Sequence, residues 1–414
     1  MFNPKKIFRA IGPGVITGAS DDDPAGIVTY SQAGAKYGNQ FLWLAWFMTP
    51  LMIAVQEMSA RLGLVSGRGL ADLIRRVYSP RWAWMVSLLL LGANVVNIGA
   101  DLGALAEVTQ LLVSGSSAIY IAVFAAVILG LEIFLSYRRY VSVLKWLTLA
   151  LLAYVAVVLT VQVDWADVLR HFAIPSLPSG TGTWTMIVAI LGTTISPYLF
   201  FWQDSEEAEE GRGHPSTVAM TDQIRSMRHD TMTGMIASNS IMIFIIIATA
   251  ATLSAHGVTE ITTARQAAEA LRPLAGDFTF ALFALGIIGT GLLAVPILAG
   301  SAAYALAEVT GQREGLDRPA RQAKAFYGFI AAAVVIGGLL NAFNVPAVQM
   351  LIASAVVNGV LAPVLIWFII RLADHSDVVG EFHSTRLIRV LGWITFWVMS
   401  IAAIAFLADM VGIL

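Results

Sequence analysis

Long apolar runs of about 20 residues, separated by shorter polar segments, recur along the whole chain. A helix needs about 20 apolar residues to cross the hydrocarbon core of a bilayer. We therefore predict an all-α membrane protein with a single transmembrane domain over residues 1–414. The longest polar interval, residues 205–230, is predicted to be a partly helical surface loop, with a solvated linker as the alternative. The eleven predicted transmembrane helices have centres near residues 24, 52, 97, 128, 152, 194, 242, 293, 332, 359 and 400.

Two of these apolar segments, residues 11–37 and 183–204, are interrupted by polar and helix-breaking residues. The first contains three consecutive aspartates before Pro24, and the second contains a Thr-Thr-Ile-Ser run before Pro197. Proline removes a backbone hydrogen-bond donor and clashes with the preceding turn, so both helices should unwind there. Paired broken helices in the two halves of a chain are typical of transporters that bind their substrate near the bilayer midplane.

The segments that follow the two breaks have a similar helical layout. We predict that residues 11–165 and 182–371 form two inverted five-helix repeats, and that residues 386–412 add an eleventh helix. In this architecture, one group of helices rocks against the other to expose the site to each side in turn.

Composition narrows the possible partners. The chain is 57% hydrophobic and 13% charged, which is typical of a protein whose main surroundings are a lipid bilayer. A net charge of -2, with Lys and Arg dispersed over many loops, argues against nucleic-acid binding. The absence of cysteine excludes disulfides, thiolate metal sites and cysteine nucleophiles. The oligomeric state does not follow from these features.

The positive residues predict the orientation in a cell membrane. With eleven spans and a cytoplasmic N-terminus, 21 of the 25 Lys and Arg residues fall in inner loops. Cytoplasmic loops of membrane proteins carry such an excess. The C-terminus is then extracytoplasmic, and the four residues left outside are Lys36, Arg170, Arg265 and Arg272.

The first break carries Asp21, Asp22 and Asp23, directly after Ser20. A carboxylate at mid-membrane costs several kcal/mol, so three of them should meet water, a cation or protons. Unwound backbone also leaves carbonyl oxygens free to bind an ion. In the alternative interpretation, the acids lie at a membrane boundary, where they cap a helix and contact water.

The second break offers only oxygen atoms, from Thr193, Thr194, Ser196 and Tyr198 and from the backbone. Hard oxygen ligands suit Mg²⁺ and, to a degree, Mn²⁺. The alternative is that these hydroxyls bind their own helix or a neighbouring one, as small polar residues often do in membranes.

Several stretches together resemble the Nramp metal-ion transporters over most of the chain. Residues 12–14 (GPG) and 23–26 (DPAG) resemble the GPG and DPGN elements of that family's first helix, and residues 192–198 (GTTISPY) stand in the place of its GATVMPH element. The resemblance implies metal-ion transport and a leucine-transporter-like fold with discontinuous helices 1 and 6. Further agreement is found at residues 32–38, 61–68 and 100–102.

The resemblance also implies a metal site at Asp23, Gly26, Thr193 and Ser196. Asp23 falls on the metal-binding aspartate, and Thr193 falls on the position that binds through its backbone carbonyl. Gly26 replaces an asparagine ligand, and Ser196 replaces a methionine whose sulfur favours transition metals. Seven further residues are expected in an outer shell or along the pathway: Ser20, Asp21, Asp22, Asp101, Thr194, Tyr198 and Asn358.

These departures resemble the Nramp-related magnesium transporters, in which a larger cavity accepts a partly hydrated ion. We expect uptake of Mg²⁺, and also of Mn²⁺, as cargo, with no cofactor and no enzymatic activity. Tyr198 stands where the family has a proton-route histidine, and Ala104 stands where it has a second third-span acid after Asp101. We therefore expect uptake without proton coupling.

Three other functions remain open at this point. The chain could be a proton-coupled Mn²⁺/Fe²⁺ transporter of the same family. It could be a sodium-coupled symporter of organic solutes, because the same fold serves that function. A membrane-embedded aspartyl hydrolase that uses Asp23 and Asp101 has no further motif to support it.

Overall fold

The computed structural model describes residues 12–134, 148–178, 182–211, 217–316 and 318–412. Throughout these ranges the regular structure is helical, and they contain no β-strand. The α-helices are α1 (Pro13–Asp21), α2 (Pro24–Tyr37), α3 (Leu42–Ser66), α4 (Leu70–Val77), α5 (Pro80–Leu112), α6 (Ser117–Phe134), α7 (Leu152–Thr160), α8 (Trp165–Ala173), α9 (Thr183–Thr194), α10 (Pro197–Gly211), α11 (Thr217–Thr252), α12 (Ala264–Ala268), α13 (Arg272–Ala275), α14 (Thr279–Thr310), α15 (Lys324–Leu340), α16 (Ala347–Ala373), α17 (Ser376–Val379) and α18 (Arg386–Met410).

Eight helical stretches in the described ranges are long and apolar enough to cross a membrane. Helices also stand at the other three predicted spans, as α1 with α2, α3 and α7. However, α1, α2 and α7 have only 9, 14 and 9 residues, and α3 carries Gln56, Glu57 and Arg61 among its apolar side chains. The total of eleven therefore stays a prediction. The eight stretches are Pro80–Leu112, Ser117–Phe134, Thr183–Glu209, Ala219–His256, Ala264–Thr310, Lys324–Phe343, Ala347–Ala373 and Arg386–Met410.

The described part of residues 205–230 is helical, so this interval has more helix than predicted and is not a solvated linker there. Helix α10 continues to Gly211, and α11 begins at Thr217. Helix α10 packs on α3, where the backbone of Asp204 lies so close to Gly63 that a side chain would not fit. A packed helix satisfies its own backbone hydrogen bonds, which a buried loop cannot do.

The first break lies between α1 and α2. Helix α1 ends at Asp21, Asp22 leaves the helical region (φ -81°, ψ 52°), and Asp23 is extended (φ -70°, ψ 171°). Pro24 then occupies the first turn of α2, where its missing N–H costs nothing. Since a residue before proline is disfavoured in helical conformation, the extended backbone of Asp23 follows from the sequence.

The second break lies between α9 and α10. Helix α9 ends at Thr194, Ile195 is non-helical (φ -119°, ψ 70°), and α10 begins at Pro197. Both broken helices thus consist of two halves joined by two non-helical residues before a proline.

Glycines let each first half pack closely on a long neighbouring helix. Gly18 of α1 lies against the backbone of Gly234 in α11, and Gly192 of α9 lies against that of Gly359 in α16. A Cβ atom at Gly18 or Gly192 would overlap these backbones. Such small-residue contacts let membrane helices approach closely, and here they fix the position of both breaks.

The start of α1 is held by a carboxylate from α11. Asp230 accepts hydrogen bonds from the backbone N–H groups of Gly12, Gly14 and Val15 at 3.0, 2.7 and 3.1 Å. A negative charge at a helix N-terminus satisfies unpaired donors and complements the helix dipole. Helix α11 therefore contacts α1 at both its beginning and its end.

Candidate metal centre

Asp23 is the central side chain of the first break. Its Oδ1 accepts a hydrogen bond from the backbone N–H of Gly26 at 2.7 Å, so that it caps α2. Its Oδ2 accepts from Asn97 Nδ2 at 3.1 Å and from the Tyr198 hydroxyl at 3.4 Å. The residue is only 4% exposed, so it does not lie at a water boundary. Each carboxylate oxygen has two acceptor sites, which leaves capacity for an ion.

Gly26 borders the same carboxylate. A Cβ atom placed there would lie 3.5 Å from Asp23 Oδ1 and 3.3 Å from the carbonyl oxygen of Asp21. A side chain at this position would therefore point at Asp23. Glycine therefore adds no side-chain ligand of its own beside Asp23.

Asp21 and Asp22 point away from Asp23 toward α11. The Ser238 hydroxyl lies 2.7 Å from Asp21 Oδ2 and 3.3 Å from Asp22 Oδ1. Both carboxylates are buried, with 1% and 4% exposure. The non-helical backbone at Asp22 and Asp23 thus turns consecutive acids toward different neighbours.

The hydroxyls of the second break bind their own helix. Thr193 donates to the carbonyls of Ala189 and Ile190, and Ser196 donates to those of Gly192 and Thr193, all at 3.0–3.1 Å. Thr194 does the same toward Ile190 at 2.7 Å. These bonds agree with the alternative interpretation, in which the hydroxyls bind their own helix. The carbonyl of Thr193, the predicted ligand, keeps a second acceptor site beside the Ser196 hydroxyl.

Two tyrosines connect the breaks to each other. Tyr198 of α10 donates to the carbonyl of Ser20, in the last turn of α1, at 3.1 Å. Tyr30 of α2 reaches the hydroxyl of Thr194, at the end of α9, at 3.5 Å. Each second half is thereby hydrogen-bonded to the first half of the other broken helix, and the two breaks lie side by side.

Helix α5 contributes a line of buried polar residues. Asn94 donates to the Leu298 carbonyl and to Ser301, both at 2.8 Å, so it joins α5 to α14. Asn97 donates to Asp23, and Asp101 follows one helical turn later. Asp101 is fully buried, and neither of its carboxylate oxygens has a hydrogen-bond partner among the described residues. An unpaired buried carboxylate is costly, which is consistent with a place along a polar pathway.

Asn358 is the predicted pathway residue that is least connected to the breaks. It is 3% exposed in α16, and its Oδ1 has no hydrogen-bond partner among the described residues. Its neighbour Gly359 lies against Val188 in α9. Asn358 is therefore next to α9, the first half of the second broken helix, rather than bonded to a residue of either break.

Comparison with known proteins identifies the family. The profile described as "Natural resistance-associated macrophage protein-like" matches residues 14–409. The chain belongs to the Nramp family. It is 25% identical to a divalent metal cation transporter MntH of Klebsiella pneumoniae (94% of this chain, 92% of the relative) and 26% identical to the MntH 1 of Pseudomonas aeruginosa (97% and 92%).

Solved structures confirm the leucine-transporter-like fold. A manganese transporter of Eremococcus coleocola superposes with a TM-score of 0.77 at 18% identity, over 99% of this chain and 87% of that chain. Mhp1, a nucleobase-cation-symport-1 family transporter, superposes with a TM-score of 0.59 at 17% identity, over 97% and 93%. At these identities the likeness concerns the fold alone.

Residues around the breaks of this Nramp protein that escaped the sequence analysis include Tyr30 in α2 and Ser238 and Met242 in α11. Ser238 contacts the aspartate pair, and the Thr194 hydroxyl donates to Met242 Sδ at 3.7 Å. The polar run from Ser238 to Ser240 inside an apolar span is a signal that could have identified Ser238, because such residues need partners in a membrane. Nothing in the sequence distinguishes Met242 from the other buried methionines.

The ligand set that this Nramp site offers is mixed. In the described ranges, no three His, Cys, Asp or Glu side chains gather into a metal site. An ion beside Asp23 would therefore depend on one carboxylate, on backbone carbonyls such as that of Thr193, and on water. That combination is typical of Mg²⁺, which keeps several of its waters.

Proposed function

We propose that this protein carries divalent metal cations across a cell membrane by alternating access, with partly hydrated Mg²⁺ as the main cargo and Mn²⁺ as a second ion. The named MntH relatives and the manganese transporter support the class of cargo. The N-terminus lies in the cytoplasm, as the distribution of Lys and Arg predicts. The observation that carries the choice of Mg²⁺ is Ser196, whose hydroxyl takes the place of a thioether at the second break.

The site selects the ion through the hardness and the small number of its protein ligands. Asp23 supplies the charge, Gly26 adds no ligand of its own, and the Thr193 carbonyl supplies a second oxygen. Mg²⁺ is costly to dehydrate and is usually held by one or two carboxylates with several waters. A site with one carboxylate and few other protein ligands therefore suits Mg²⁺ better than a site built entirely of protein ligands.

One sulfur atom does approach the second break, from Met242. Its thioether accepts the hydroxyl proton of Thr194 at 3.7 Å. That contact places Met242 on the side of Thr194 and Tyr30, whereas Asp23 is bonded to Asn97 and Tyr198. We assign Met242 to helix packing and not to the ion.

Uptake is driven by the ion gradient and the membrane potential. The potential contributes about 2.3 kcal/mol per charge per 100 mV, so a divalent cation gains twice that amount. The hydrogen-bond donors to Asp23 are a backbone amide, an asparagine and a tyrosine. None of these three donors titrates near neutral pH. On α5, Asp101 follows Asn97 by one helical turn, and Ala104 stands where the family has a second acid.

A flux assay tests the cargo. The purified protein is reconstituted in liposomes and supplied with Mg²⁺, Mn²⁺, Ca²⁺ or a panel of amino acids. We expect saturable Mg²⁺ uptake, weaker Mn²⁺ uptake and no amino-acid uptake. Uptake of Mn²⁺ with no uptake of Mg²⁺ would contradict the proposed selectivity, and amino-acid uptake would favour the symporter.

An internal pH dye tests the coupling in the same liposomes. Under a negative inside potential, Mg²⁺ entry is expected to leave the internal pH unchanged, because no proton accompanies the ion. Acidification that depends on Mg²⁺ or Mn²⁺ would favour the second candidate function, a proton-coupled metal transporter. Liposomes without protein, treated with a proton ionophore, serve as the control that the dye responds.

A further inference from the structure

Asp21 and Asp22, the aspartate pair that precedes Asp23, have different hydrogen-bond partners from Asp23. Asp21 and Asp22 are turned toward α11, and the one side chain that bonds to both is Ser238, at 2.7 and 3.3 Å. The donors to Asp23 come instead from α2, α5 and α10. The first break therefore presents carboxylates on two different faces.

The charge of this pair is not balanced by protein groups in the described ranges. Ser238 is neutral and has one proton to share between two carboxylates. No ion pair of the described residues includes Asp21 or Asp22. Asp21 Oδ1 is buried without a hydrogen-bond partner. Two carboxylates without a counter-charge cost free energy inside a membrane protein. A bound cation on this face would lower that cost.

A cavity of about 400 Å³ adjoins Asp22, the second member of the pair. It lies between α1, α11 and the beginning of α7, and its walls are mostly apolar, with Val15, Leu152 and Phe244 among the lining residues. Asp22 and Ser238 supply carboxylate and hydroxyl groups to its lining. A volume of this size accommodates several water molecules, each of which occupies roughly 30 Å³ in the liquid.

We propose that Asp21, Asp22 and Ser238 form a second cation site, which binds a partly hydrated divalent ion whose waters occupy this cavity. Two carboxylates and one hydroxyl provide hard oxygen ligands, and Mg²⁺ retains waters at its remaining positions. The site is separate from the one at Asp23, because it faces α11 rather than α5 and α10. It rests on the proposed function only for the choice of ion.

Calorimetric titration of the full-length protein with Mg²⁺ in detergent tests the site by its stoichiometry. The unmodified protein should bind two Mg²⁺ ions, and Asp23→Asn should still bind one. The double variant Asp21→Asn/Asp22→Asn should also bind one, at Asp23. Adding Ser238→Ala to Asp23→Asn should weaken the remaining site roughly tenfold, since a hydroxyl beside a charged group is lost.

Ser400→Ala is the matched control for Ser238→Ala. Its hydroxyl donates to the Phe396 carbonyl of its own helix, α18, at 2.7 Å and does not line the cavity, so its removal should leave both affinities unchanged. Size-exclusion profiles and unfolding midpoints establish that each variant is folded. If a variant of the aspartate pair is misfolded, the Asp23→Asn protein with and without Ser238→Ala decides the question.

Three results would overturn this site: one Mg²⁺ per unmodified protein, no Mg²⁺ bound by Asp23→Asn, or a residual site that takes Na⁺ in preference to Mg²⁺. The proposed function fails in a different way, through liposome flux. If Asp21→Asn/Asp22→Asn binds as many ions as the unmodified protein while Asp23→Asn loses uptake, the second site is wrong and the proposed function stands.

Discussion

The two helix breaks have the same construction but different chemistry. Each ends in a proline, and each first half rests on a glycine contact, Gly18 with Gly234 or Gly192 with Gly359. The first break, however, holds three aspartates whose hydrogen bonds come from other helices or from the next half. The second holds hydroxyls that bond back to their own helix.

The two breaks therefore differ in what they contribute to the proposed site. A carboxylate in the membrane interior must be stabilised from outside its own helix, so the first break supplies charge and connects to three neighbouring helices. A serine or threonine can satisfy itself on the preceding turn, so the second break adds polar groups without adding charge. The proposed selectivity depends on both contributions.

The largest expected effect is at Asp23. Asp23→Ala should abolish saturable Mg²⁺ uptake, because it removes the charge of the site. Ser196→Ala should change uptake by no more than about fivefold, since it removes hydrogen bonds worth about 1 kcal/mol in total. Liposome flux measures both. Equal losses in the two variants would show that charge is not what separates the breaks, and retained uptake in Asp23→Ala would remove it as the anchor.

The next effect concerns packing and should be equal at the two breaks. Gly18→Ala and Gly192→Ala each force a Cβ atom into a neighbouring backbone, which should destabilise the protein by about 1–3 kcal/mol or more. Gly92→Ala is the matched control, because a Cβ there meets nothing within 4 Å, and alanine is favoured over glycine in a helix by about 1 kcal/mol. Unfolding midpoints in detergent compare the three. Similar midpoints would show that the glycine contacts do not hold the first halves.

The sequence predicted much of this fold because the period of apolar runs and the position of proline have direct structural consequences. Pro24 and Pro197 marked both breaks to within a few residues, and the pre-proline rule accounts for the extended Asp23. The described part of residues 205–230 is more helical than predicted, because polarity alone does not distinguish a loop from a helix that buries its polar residues against neighbours. Asp204 packing on Gly63 is a tertiary contact with no local signal.

The sequence singled out most residues of the two breaks, but it did not predict which way their side chains point. Three adjacent aspartates indicate a cation, but only the backbone angles of Asp22 and Asp23 show that they face different helices. Ser238 and Tyr30 lie far from their partners in sequence, so no spacing rule connects them. The hydroxyls of Thr193 and Ser196 had two possible partners, and the choice between them depended on packing.

A smaller effect is expected when a thioether is introduced into the second break at position 196. Ser196→Met should raise the affinity for Mn²⁺ or Cd²⁺ relative to Mg²⁺ by roughly tenfold, because a soft ligand favours softer metals and the larger side chain displaces water. Competition of each ion against Mg²⁺ uptake in liposomes measures the ratio. Ser196→Leu separates the sulfur from the added volume. An unchanged ranking in Ser196→Met would contradict the account of selectivity by hard ligands.

The smallest effect is expected when the thioether of Met242 is removed. Met242→Leu removes the thioether that accepts the Thr194 hydroxyl and changes the volume little. Because we assign Met242 to packing, the ranking of Mn²⁺ and Mg²⁺ should stay within about twofold of the unmodified protein, and stability should fall by less than about 1.5 kcal/mol. The competition assay used for Ser196→Met measures the ranking. A clear loss of Mn²⁺ uptake with Mg²⁺ uptake retained would mean that a sulfur from α11 contacts the ion, and that the second break does not act through oxygen alone.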